Sequence, residues 1–232
     1  MDEARETLMY ESEGAWREVD AYFVDTLVPE DPALIGARES GQRTTMPQAE
    51  VAPNQGKLLA MLCRIAGATR VLEFGTLAGY STVWLARAVG VDGRVTTLEL
   101  EEHNAAIARA NLDRAGVADR VDVLVGPAAD TAQRLIKDGT EPYDFVFIDA
   151  DKPSNPEYLR ASLALTRPGS VIVIDNVVRN GSVTDPDSPD DRVQGVRAVL
   201  AEIARDARLD ATALQTVGSK GWDGFTVVRR TG

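Results

Sequence analysis

The chain has 232 residues, 44% hydrophobic and 26% charged, enough for one large α/β unit with a sizeable core. Its net charge of −11 repels phosphate backbones and anionic lipid, which argues against nucleic acid and membrane surfaces as partners. No apolar run reaches the roughly 18 residues of a membrane span. The start, MDEARETLMYESEG, lacks a signal-peptide pattern, and the lone Cys63 fits a reducing compartment, so a cytoplasmic protein is expected.

Up to residue 69 the pattern is helical, with apolar positions at Trp16, Val19, Tyr22, Phe23 and Leu27 and then from Leu58 to Ile65. From there short apolar runs alternate with helical patterns. Strands are predicted at 70–74, 94–100, 121–125, 143–148 and 170–174, with helices at 81–89, 102–115, 128–137 and about 157–166 between them. The strands are nearly continuous in apolar residues, as parallel strands covered on both faces must be. A helix follows over 191–206. Two strand-like runs, 211–217 and 224–229, are joined too closely for a crossover helix and must pair antiparallel. The reading is one domain over 1–232 with residues 1–50 as a helical N-terminal cap. The fold class is α/β: a doubly wound, Rossmann-like sheet, mostly parallel, ending antiparallel at the C-terminus. Asn180 to Asp191, rich in Asp, Pro and Ser, reads as a mobile loop placed where a lid would be useful.

The first strand closes on Val71-Leu72-Glu73-Phe74-Gly75-Thr76-Leu77-Ala78-Gly79-Tyr80-Ser81. Gly75 and Gly79 let the backbone turn tightly against a ligand. Their G-x-x-x-G spacing is not that of a dinucleotide fold. Glu73 would repel a pyrophosphate but suits the amino group and sulfonium of S-adenosylmethionine. Glu99, at the end of the second strand, is placed for ribose hydroxyls.

The fourth strand ends in Asp149-Ala150-Asp151-Lys152 and the fifth in Asp175-Asn176. Neighbouring strands would bring Asp149, Asp175 and Asn176 together, and such oxygen donors repel one another unless a cation joins them. With no histidine or thiol cluster, Mg²⁺ (or Ca²⁺ or Mn²⁺) is the expected metal; the single histidine, His103, reads as a surface residue. A metal chelating two adjacent hydroxyls makes a phenol more acidic. Lys152 beside it could take the phenol proton.

These motifs match a known family. VLEFGTLAGYS, YDFVFIDADK and SVIVIDNVVRNGSV resemble the small cation-dependent O-methyltransferases, the group that holds catechol and caffeoyl-coenzyme A O-methyltransferases, from about Val51 to Val228. The resemblance implies Asp149, Asp175 and Asn176 as metal ligands and Lys152 as the base. It implies Val51, Glu73, Gly75, Thr76, Ser81, Glu99, Ala128 and Asp151 around S-adenosylmethionine, and Asn180 facing a catechol-like, vicinal dihydroxy aromatic substrate. It also implies a homodimer. Two positions depart at the substrate edge: Asn155 stands where relatives usually have tyrosine, and Arg179 where plant relatives have tryptophan. Trp222, in a tail longer than that of many relatives, is a candidate to pack on an aromatic acceptor. A non-catalytic S-adenosylmethionine-binding protein and a nicotinamide-dependent dehydrogenase are the alternatives; the first leaves the base and ligand set without use, and the second lacks its glycine spacing.

Overall fold

The structure is a computed structural model that describes residues 13–232. Residues 1–12 of the expected N-terminal cap lie outside the described residues. The elements run α1 (Glu13–Leu27), α2 (Pro32–Ser40), α3 (Pro53–Ile65), β1 (Arg70–Phe74), α4 (Tyr80–Ala88), β2 (Arg94–Glu99), α5 (Glu102–Arg114), β3 (Val121–Val125) and α6 (Ala128–Lys137). They continue as β4 (Tyr143–Ile148), α7 (Asn155–Ala164), β5 (Thr166–Asp175), α8 (Asp191–Arg205), β6 (Leu209–Gly218) and β7 (Gly221–Arg230).

The seven strands form one sheet in the order β3-β2-β1-β4-β5-β7-β6. β1 to β5 are parallel, and β7 runs antiparallel to both β5 and β6. Strand residues alternate between two cores, as a two-residue period requires. Val71, Phe145, Phe147 and Val173 pack under α2 to α4 with Leu34, Leu59, Cys63 and Val83. Leu72, Phe74, Val146, Ile148 and Ile172 pack on the opposite face with Tyr158, Val196, Val199 and Ile203. The strand order reverses between the parallel neighbours β1 and β4, where the following helices leave to opposite faces. A crevice opens there beyond the carboxyl ends of the strands, the usual ligand position in such a sheet.

Several expectations change. α7 begins two residues early, at Asn155, because Pro156 occupies the first helical turn, where its missing N–H costs nothing. β5 starts at Thr166 rather than Ser170, because Thr166 pairs with Tyr143 before the register shifts. The helix α1 forms, but Val19, Tyr22, Phe23 and Leu27 are 50, 65, 44 and 64% exposed, while Asp20 is the residue it buries. Asp20 accepts from Asn54 Nδ2 at 3.0 Å and from the Ser219 N–H at 2.6 Å, which fixes the helix to α3 and to the turn between β6 and β7. Finally, the Asn180 to Asp191 segment is tied to α8: Arg197 donates to Val183 O (2.6 Å) and Gln194 to Pro186 O (3.1 Å) and Ser188 O (2.8 Å).

Candidate active site

A cavity of about 1250 Å³ occupies the crevice. At one end the glycine turn between β1 and α4 forms its wall. Gly75 has φ +96°, and a Cβ there would collide with the carbonyl oxygen of Asp149, so β1 and β4 approach more closely than any other residue allows. Gly75 N–H donates to Leu98 O and Asp149 N–H to Phe74 O, stitching the three strand ends together. Val51, Gly75, Thr76, Ser81, Glu99, Ala128 and Asp151 all line the cavity.

Glu73 is placed differently from the sequence expectation. It is completely buried and does not line the cavity. Its two oxygens take hydroxyls from Ser81 (2.6 Å), Thr82 (2.5 Å) and Thr97 (2.7 Å), and burial pushes its carboxyl up to about 7. The cavity wall at that point is Ser81. Glu99 also works on the backbone: Oε2 accepts from the Leu77 N–H at 2.7 Å, and Oε1 from the Glu101 N–H (3.0 Å) and Asn104 Nδ2 (3.1 Å). Unlike Glu73 it keeps a place on the cavity wall. Asp151 accepts from Ser154 Oγ at 2.5 Å and from the Tyr158 hydroxyl, and so caps the turn that carries Lys152.

On the next two strands, β4 and β5, the acidic ends converge. Ile148 of β4 pairs with Ile174 of β5, so Asp149 and Asp175 leave the sheet side by side. Asn176 follows in the left-handed region (φ 58°), a conformation asparagine tolerates. Lys152 is 7% exposed and its Nζ donates to Asp149 Oδ1 at 2.8 Å. Burial and the charge of Asp149 hold the Asp175 carboxyl well above the usual carboxylate range, against the opposing pull of Lys152, the Asn176 N–H and Gln55. All four residues line the cavity.

The donor chemistry fits a hard divalent cation: two carboxylates and an amide oxygen, with a buried aspartate whose ionised form Lys152 only partly stabilises. Among the described residues no three His, Cys, Asp or Glu form a metal cage. A cation at this edge therefore needs the Asn176 oxygen and water besides the two aspartates.

Several residues of the site carry no signal in the sequence. Gln55, at the start of α3, reaches Asp175. Asp223 of β7 accepts the Val178 N–H (3.0 Å) and Arg179 N–H (3.1 Å) and so holds the chain that follows Asn176. Asn180, expected at the substrate, is exposed and off the cavity wall; its N–H donates to Trp222 O at 3.2 Å. Trp222 packs over Gly181 and likewise does not line the cavity. Arg179 and Arg192 line the cavity, whereas none of the residues between them does. Asn155 is completely buried and neither polar atom of its amide has a hydrogen-bond partner; the structure offers no reason for an amide there. His103, as expected, is exposed, with Nε2 2.8 Å from Arg43 O.

Comparison with known proteins places this geometry in context. The model of a family described as O-methyltransferase matches residues 24–231. A catechol O-methyltransferase from Mycobacterium tuberculosis is 49% identical over 210 residues, covering 90% of this chain and 94% of the relative. One from Niastella koreensis is 46% identical over 209 residues, covering 90% and 95%. Among solved structures, the O-methyltransferase TomG from Streptomyces achromogenes, in complex with SAM, superposes with a TM-score of 0.93 at 48% identity, covering 95% of this chain and 99% of that one.

Proposed function

Since the chain belongs to the O-methyltransferase family, we propose that it transfers the methyl group of S-adenosylmethionine, with the help of a divalent cation such as Mg²⁺, to one hydroxyl of a vicinal dihydroxy aromatic. The observation that carries this reading is the convergence of Asp149, Asp175, Asn176 and Lys152 at one edge of a cavity whose other edge is the glycine turn. Each bound group supplies one thing: the donor an electrophilic methyl, the cation a chelate that draws two hydroxyls together and favours loss of a phenolic proton.

The remaining work belongs to the chain. The Gly75–Ser81 turn gives close backbone approach to the donor, and Glu99 sits on the wall for its ribose hydroxyls. Ser81, held on Glu73, keeps the wall of that site rigid; a cationic donor bound there would favour the ionised form of Glu73. Val51, Leu77 and Ala128 exclude water around the donor. Asp149, Asp175 and Asn176 hold the cation, with Gln55 steadying Asp175. Lys152 Nζ accepts the proton from the acceptor hydroxyl. No histidine stands in the wall, and the other nitrogen bases there are guanidiniums, which cannot give up a proton, and Lys220. Lys220 is tied to Gln48 O at 2.6 Å. Alignment of the resulting phenolate with the methyl group is a large part of the rate.

The exposed Val19, Tyr22 and Leu27 of α1, together with Leu214 on the unpaired edge strand β6, support a homodimer, since surface of this kind is rarely left to water. A single buried thiol and the lack of any described helix long and apolar enough to cross a membrane fit the cytoplasmic setting.

Acceptor geometry tests the reading. With S-adenosylmethionine and Mg²⁺, 1,2-dihydroxybenzene yields its monomethyl ether, and phenol and 1,3-dihydroxybenzene react about 10²-fold more slowly or less, because they cannot chelate. Mass spectrometry of the products checks this; equal turnover of phenol would remove the chelate from the account.

A further inference from the structure

Four basic side chains line the cavity: Lys152, Arg179, Arg192 and Lys220. Three have partners. Lys152 donates to Asp149 at 2.8 Å. Arg192 grips both oxygens of Asp190 through Nε and Nη2 at 2.7 to 3.1 Å. Lys220 donates to Gln48 O at 2.6 Å and lies 3.3 Å from Glu50 Oε1. Arg179 is the exception. Its guanidinium makes no hydrogen bond or ion pair with any described residue, and its Nε is buried without a partner. Asp190, whose carboxylate feels the Arg179 charge, is already engaged by Arg192. A buried donor left unpaired is costly unless something else completes it.

The backbone of Arg179 is not free to carry the side chain away. It sits in the left-handed region (φ 56°), its N–H is fixed to Asp223 Oδ1 at 3.1 Å, and Asn180 N–H is fixed to Trp222 O. A non-glycine residue held in that conformation implies surroundings that determine it. Arg179 follows Asn176 by three residues, beyond the end of β5. The glycine turn follows β1, on the far side of β4. Arg179 thus follows the strand that leads into Asp175 and Asn176, not the strand that carries the glycine turn, so an anion meeting it is assigned to the acceptor.

We infer that Arg179 anchors an anionic substituent of the acceptor, so that the preferred substrate is a catechol bearing a carboxylate. The inference rests on the methyltransferase reading above and extends it to substrate class. A guanidinium fork meets a carboxylate through two parallel hydrogen bonds, which neither an ester nor a neutral ring can reproduce. The net charge of −11 gives anions no long-range attraction, so any preference for them has to come from a directed local contact.

The test is calorimetric binding of 3,4-dihydroxybenzoate and of its methyl ester to the Mg²⁺-containing protein loaded with S-adenosylhomocysteine. Wild type binds the acid about tenfold or more tightly than the ester. In Arg179→Gln that ratio falls to about one, and Arg179→Lys, which keeps the charge without the fork, falls between. S-adenosylhomocysteine affinity, measured on each variant, reports both its folding and the donor end. Equal affinity of wild type for acid and ester, or a preference that survives Arg179→Gln, overturns the inference. So does a loss of S-adenosylhomocysteine affinity in a variant whose melting temperature is unchanged, since that assigns Arg179 to the donor. Acid that binds with this preference but is not methylated when S-adenosylmethionine replaces S-adenosylhomocysteine overturns the reaction and not the role of Arg179.

Discussion

Lys152→Met lowers kcat by about 10²- to 10⁴-fold, the range for a lost general base, while S-adenosylhomocysteine still binds within about twofold. Lys152 is buried at the cavity edge and donates to Asp149 Oδ1 at 2.8 Å. In the metal-free protein it therefore supplies the positive charge that Asp149 and Asp175 need. Removing it leaves two carboxylates unbalanced, so the metal-free variant melts lower than wild type. Mg²⁺ restores the melting temperature and binds at least as tightly as to wild type, because no ammonium competes for Asp149. Lys152→Arg keeps the charge but cannot take up a proton, and its kcat stays low. A structural role for the lysine alone predicts the opposite for the arginine variant, namely recovered turnover. Steady-state kinetics and thermal melts with and without Mg²⁺ separate the two.

Gly75→Ala disrupts both halves of the site at once. The residue has φ +96°, and its missing Cβ is what lets the Asp149 carbonyl pass. An alanine adds backbone strain and a collision with main chain that belongs to β4, which cannot swing aside as a side chain can. The expected cost is about 3 kcal/mol or more, which lowers Tm by roughly 6–12 °C for a chain of this size. Donor affinity falls by at least about tenfold. Gly67 is the control. It too has positive φ, +63°, but nothing lies within 4 Å of an added Cβ. Gly67→Ala carries the backbone penalty alone, about 1–2 kcal/mol, with donor affinity intact. Similar losses in both variants, read by calorimetry and thermal melts, mean that the close passage of β1 and β4 is not what shapes the donor site.

The parts of the fold that could be read from the sequence share one property: their signal is local. β1, β3, β4 and α6 begin and end where the apolar runs and their flanking glycines and charges place them. β4 and β5 are neighbours in this strand order. Asp149 and Asn176, one residue beyond their ends, therefore meet beside Asp175 without further information, and Lys152 follows in the next turn after Asp149. Glu73 shows the limit of such reasoning. A residue at a strand end can turn to the cavity or into the protein, and three hydroxyls spread over α4 and β2 decide the matter. Gln55, Asp20 and Asp223 were hidden for a related reason, since each acts through a contact between segments distant in sequence. The apolar residues of α1 recur at helical spacing, but periodicity does not say what they pack against, and Val19, Tyr22, Phe23 and Leu27 are exposed. Asn180 to Asp191 has the composition of a free loop, yet Arg197 and Gln194 of α8 tie it down through its carbonyls, which composition does not register.

The claim at the centre of this account is that Asp149, Asp175 and Asn176 hold a divalent cation on which methyl transfer depends. The most direct measurement is methyl transfer from S-adenosylmethionine to 3,4-dihydroxybenzoate, followed as the protein is stripped with EDTA and reloaded with Mg²⁺. The account predicts activity that vanishes with the metal, returns with Mg²⁺ in wild type, and fails to return in Asp175→Ala at the same Mg²⁺ concentration. Turnover that ignores EDTA, or an Asp175→Ala protein restored as readily as wild type, contradicts it.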